Sequence, residues 1–116
     1  MKFVALVYLE DEKLRAVPDS ECMDCGNGFR ASGKLVAAEA LQPVKTAKTV
    51  RVRQGEVRIV DGPFAETKEA LLGFWIFDAA SLDEALATAR EFASHMPGGM
   101  LELRPVKEYD PGARLA

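Results

Sequence analysis

Histidine, cysteine and tryptophan are scarce in this chain, with one His, two Cys and one Trp among 116 residues. A structural zinc site takes four ligands, almost always thiolates and imidazoles. Cys22-Met23-Asp24-Cys25 and the distant His95 fall short of that set. Metal binding is therefore not expected, and the two thiols, on one predicted helix face with Phe29, read as small core side chains kept reduced in the cytoplasm. The chain also lacks a glycine-rich phosphate loop, a Ser-His-Asp set and a dinucleotide fingerprint, which excludes kinase, hydrolase-fold and Rossmann chemistry and leaves no cofactor expected. Positive charge is not in excess: 15 Lys and Arg face 18 Asp and Glu, for a net charge of −3. With the basic residues scattered, nucleic acid is not an expected partner. Long hydrophobic runs are missing too. Phe3–Leu9 and Leu72–Phe77 fall far short of the roughly 20 apolar residues a membrane helix needs. Lys2, a short apolar run and then Glu10-Asp11-Glu12 lack the pattern of a secretory signal. A cytoplasmic protein with no membrane role is the expectation.

What is present suffices for one domain spanning 1–116, since a chain of this length builds one core but not two. Lys2–Leu9 is apolar on both alternating sides, which marks a central strand. Pro18-Asp19-Ser20-Glu21 starts a predicted helix over Asp19–Ser32 that Gly33 stops, with Gly26 and Gly28 each weakening it by roughly 1 kcal/mol. Leu35–Leu41 reads as a second strand. Lys48–Arg53 alternates valines inward with threonine and arginines outward, and Gln54-Gly55 turns it into Glu56–Val60 as a hairpin that extends the sheet or reaches over a neighbour. Leu72–Phe77 is again apolar on both sides. Ser81-Leu82-Asp83-Glu84 fits a capping box, and Leu82, Ala85, Leu86, Ala89 and Ala93 follow the helical period to about His95, placing Leu86 in the core and His95 at the negative helix end. Pro97-Gly98-Gly99 leads into a last strand, Met100–Arg104, before a loosely ordered tail, 107–116. The order βαβ, hairpin, βαβ predicts an α+β, ferredoxin-like fold with both helices on one sheet face. Two helices cover only one face of a sheet whose central strands are apolar on both, so a homodimer through the other face is expected.

Chemistry concentrates in Asp61-Gly62-Pro63-Phe64-Ala65-Glu66-Thr67-Lys68-Glu69. Gly62-Pro63 breaks the chain after Val60, because proline fixes its own φ and drives the preceding residue out of the helical region. Three carboxylates and an ammonium then crowd into nine residues, more ionisable chemistry than a connection between two strands usually needs. Two readings stand: a turn capped by Asp61 beneath a solvated charged face, or a site.

The nonapeptide resembles the signature of the YCII-related, or DGPF-motif, family of small bacterial proteins. The likeness extends to Phe3–Leu9, to Gly33-Lys34-Leu35-Val36 running into Glu39-Ala40-Leu41-Gln42-Pro43, to Thr49–Arg53 and to Leu101–Val106. It implies a ferredoxin-like dimeric α+β barrel of largely unassigned activity, from a family often found beside extracytoplasmic-function sigma factors. Better-characterised members of the wider superfamily pair a histidine on the first helix with an aspartate. No histidine lies there in this chain, and Cys22 stands near that place.

The residues expected to meet around a pocket are Tyr8, Glu39, Asp61, Phe64 and Lys68. Asp61, or Glu39, would be the catalytic carboxylate if burial raised its pKa. Lys68 would anchor an anion, Phe64 or Trp75 would form an apolar wall, and the competing reading is a structural salt-bridge cluster. Two function classes follow. One is a dimeric small-molecule-binding or regulatory module linked to a sigma-factor system. The other is an enzyme moving protons on a small cyclic or aromatic compound, as lactone isomerases and dehalogenases of the same barrel do.

Overall fold

The strand β1 (Lys2–Leu9) lies in the middle of a four-stranded antiparallel sheet, as its two apolar sides require. The computed structural model describes residues 1–17 and 29–109. Along the chain, β1 is followed by a short helix α1 (Asp11–Arg15), β2 (Leu35–Ala40), a 3₁₀ turn (Val44–Thr46), the hairpin strands β3 (Lys48–Arg53) and β4 (Glu56–Asp61), β5 (Ala70–Asp78), α2 (Leu82–Ala93) and β6 (Met100–Pro105). The sheet order is β2-β5-β1-β6, and every neighbouring pair is antiparallel. This is an α+β arrangement compatible with a ferredoxin-like fold. No described helix is long and apolar enough to cross a membrane.

One face of the sheet carries the core. Phe3 and Ala5 of β1, Phe77 of β5, and Ala85 and Phe92 of α2 are buried together, with Trp75, Leu101 and Leu103 packed at the margin. The ring of Phe92 stacks on Trp75 at 4.4 Å and meets Phe29 edge-on at 4.7 Å and Phe77 at 6.0 Å. The inner stripe of α2 is thus Ala85, Ala89 and Phe92, not the leucines: Leu82 is 54% and Leu86 50% exposed. Two alanines let the helix backbone approach the sheet closely, and one large ring then fills the wedge that remains.

The N-terminus of α2 forms as its sequence predicts. Ser81 accepts a hydrogen bond from Glu84 N at 3.2 Å, while the Glu84 carboxylate accepts from Ala80 N at 3.0 Å and pairs with Lys34 Nζ at 2.7 Å. Those bonds, the Lys34 one foremost, hold the Glu84 carboxyl below its usual value of 4.5. At the other end the helix stops at Ala93, so His95 lies just beyond it, exposed, with Nε2 3.7 Å from Glu91. Phe29 to Ala31 end a helical turn that Gly33 stops at φ 76°. The rest of the helix expected over Asp19–Ser32, with Cys22 and Cys25, lies outside the described residues, as do residues 110–116 of the tail.

The opposite face of the sheet is open. Cross-strand pairing puts Val4 beside Ile76 and Leu6 beside Phe74, with Glu39 on the other side of Phe74. All four apolar side chains are half-buried, and no described element packs over them.

Of the two arrangements expected for the hairpin, extension of the main sheet is not the one adopted. It forms a two-stranded sheet of its own. Its turn is as read: Gln54 and Gly55 both have positive φ, 51° and 80°, which matches the right-handed twist of the strands. Its valines do not point inward, however, because no described element lies beneath them; Val52 is 70% and Ile59 72% exposed.

Candidate functional site

The pairing of β1 with β5 builds the site. Leu9 lies opposite Ala70, so the residues just outside the two strand ends, Glu10 on one side and Lys68 on the other, leave the sheet side by side. Lys68 Nζ is 3.4 Å from Glu10 Oε1, and Lys13 Nζ approaches the same oxygen at 3.8 Å. Asp11 and Glu12 sit in the first turn of α1, with Lys13 and Arg15 in its last, an order that suits the helix dipole and explains why so charged a segment turns helical. Asp11 Oδ2 accepts a hydrogen bond from Val44 N at 3.1 Å, tying α1 to the 3₁₀ turn, which itself packs against β5. Across from α1, Thr67 donates its hydroxyl to Glu69 O at 2.7 Å and shapes the loop that carries Lys68.

Between these segments lies a cleft of about 310 Å³, lined by Glu10, Asp11, Glu12 and Arg15 from one wall and Thr67 and Lys68 from the other. Three carboxylates and two cations thus line a half-open depression at the end of the sheet. Lys68 is held on one side only, and its side chain is 84% exposed. It is free to turn toward a bound anion at the loss of one weak surface pair.

The remaining sequence candidates are dispersed. Asp61 ends β4, where Lys48 Nζ contacts it at 2.6 Å, and its side chain is 87% exposed. Beside it, Gly62 N donates to Ala47 O at 2.8 Å and Thr49 donates to Gly62 O at 2.7 Å, so the base of the hairpin is laced shut. Phe64 is 83% exposed. Tyr8 and Glu39 lie on the open sheet face, separated by β5. Trp75 is on the opposite, helix-covered face against Phe92. Of the six candidates, Lys68 alone lines the cleft. Glu10, Asp11, Glu12, Arg15 and Thr67 were not among them; the available signal was a run of three carboxylates directly after a central strand.

The match to known proteins covers both walls of this cleft and every strand. The model of the YCII-related domain fits residues 1–110. The chain belongs to the YCII-related family. It is also 50% identical, over 110 residues, to an uncharacterized protein of Rhizobium meliloti (strain 1021), covering 94% of this chain and 87% of the relative. Family membership brings no reaction with it; function lives in the site, not in the fold.

Proposed function

We propose that this YCII-related protein is a cytoplasmic, homodimeric small-molecule-binding or regulatory module whose ligand occupies the cleft between α1 and the Asp61–Glu69 loop. The observation that carries the reading is the meeting of Lys68 with Glu10 across that cleft. The ligand class that fits is a small polar molecule with an anionic group for Lys68 and Arg15 and a cationic or hydrogen-bond-donating group for the carboxylates. Dimerisation through the open sheet face is supported by Val4, Leu6, Phe74 and Ile76, which no described element covers. Action alongside an extracytoplasmic-function sigma factor, which the family resemblance implies, would be the readout of ligand binding. Binding is preferred to carboxylate catalysis because a general base at neutral pH needs desolvation, and both Asp61 and Glu39 are exposed in the single chain.

A metabolite screen by thermal shift tests the proposal, with wild type and Lys68→Met run in parallel. A ligand at 100 times its dissociation constant adds about 2.7 kcal/mol to the folded state. Hits should raise the melting temperature of wild type and lose most of that shift in Lys68→Met. Equal shifts in both proteins would take Lys68 out of the site.

A further inference from the structure

We propose that the β3–β4 hairpin is an arm exchanged between protomers, its apolar face seated on the open sheet face of a second copy of this chain. The inference rests on the dimer reading above and goes beyond it by naming the contact. Register defines the arm's two faces. Val50 pairs with Ile59 and Val52 with Val57 on one face, while Thr49 and Val60, Arg51 and Arg58, and Arg53 and Glu56 pair on the other. The four side chains of the first face are 61%, 72%, 70% and 64% exposed in the order just given. A lone two-stranded hairpin is marginal in water, and one that leaves a contiguous branched aliphatic face wet has no reason to hold its alternation unless something covers it.

Three observations identify the occupant as a second copy. The arm forms a sheet of its own, unpaired with the main one, in a chain whose radius of gyration is 16.5 Å, against roughly 13 Å for a compact domain of this length. The body offers a matching surface: Leu71 and Met100, 40% and 55% exposed, flank Tyr8 in register on the open face, and Leu41, 43% exposed, joins that row through its hydrogen bond to Leu72 O. Charge agrees as well. The arm carries a net charge of +2 against −5 for the rest of the chain, so long-range attraction favours the encounter of one copy's arm with another's body, while the arginines themselves stay on the face turned away from the contact. A polyanion would engage the arginine face and leave the valines wet. Reciprocal exchange about a two-fold axis satisfies both copies at once. Because Leu71 adjoins Ala70 at the mouth of the cleft, the partner's arm would border the ligand site.

The test places the photocrosslinker p-benzoylphenylalanine at position 52 in a mixture of ¹⁴N- and ¹⁵N-labelled protein, with light scattering on the same sample. The expected product is a mixed-isotope crosslink from position 52 to peptides containing Leu71 or Met100. A dimer whose crosslinks stay within one chain, or reach the outer face of α2, overturns the arm and leaves the dimer standing; a monomer overturns both. A second variant combines Val50→Thr, Val52→Thr, Val57→Thr and Ile59→Thr, which keeps β-branching and charge while removing apolar surface. Its dimer dissociation constant by analytical ultracentrifugation should rise at least tenfold, and an unchanged constant would count against the arm.

Discussion

Phe92→Ala removes the largest buried side chain of α2. The ring is 5% exposed and touches Trp75, Phe29 and Phe77. Removing a buried phenylalanine costs about 3–5 kcal/mol through lost transfer energy and the cavity left behind. Aromatic pairs add about 0.5–1.5 kcal/mol beyond their area, and losing several at once places this site at the upper end, about 4–5 kcal/mol. A domain with a total of about 5–15 kcal/mol loses about a quarter of it or more. Trp75 is the single tryptophan and lies on the ring being removed, so its fluorescence in urea reports the transition directly. With a slope of about 1–3 kcal/mol/M, the midpoint should fall by roughly 1–5 M at fixed protein concentration. Leu86→Ala is the control: the side chain is half exposed, so about 1 kcal/mol or less is expected. Equal losses in the two variants would refute the orientation of α2.

Gly99→Ala should cost at least about 2 kcal/mol by the same titration, since φ is 79° and a Cβ there would strike the Tyr8 carbonyl oxygen; a neutral result would reject the close approach of the α2–β6 turn to β1. Glu84→Gln should change how stability depends on pH. The folded carboxyl is held below 4.5, so its contribution is present above the unfolded value and fades as pH falls through the folded one. Wild type and variant should therefore differ at pH 6 and converge as pH falls below the folded value, and a constant difference would disprove the Lys34 attribution. Asp61→Asn should shift stability by less than about 1 kcal/mol, because an exposed ion pair contributes about that much at most; a large loss in urea would mean that Asp61 is not the solvent-facing carboxylate described.

The strands were readable because their pattern has one physical meaning. An apolar run on both sides, as in Phe3–Leu9 and Leu72–Phe77, has to sit centrally, and both do. The inner face of α2 was misread for an equally definite reason: hydropathy ranks Leu86 above Ala85, whereas the short distance between helix and sheet selects the smaller residue. Alternation in Lys48–Arg53 correctly marked one apolar face, but it carries no information on what covers that face. The cleft was the least accessible feature. Glu10-Asp11-Glu12 by itself is an ordinary solvated run, and it faces Lys68 only because antiparallel pairing brings Leu9 opposite Ala70, from distant parts of the chain.

The central claim is that the motif loop and α1 together form the ligand site. Amide chemical-shift mapping with a compound found in the thermal screen tests it most directly. The account predicts that the largest perturbations fall on Glu10 to Arg15 and on Thr67 to Ala70, the two walls of the cleft. Perturbations centred instead on Asp61 and Phe64, or on Val4, Leu6 and Phe74 of the open sheet face, with both walls silent, would contradict it.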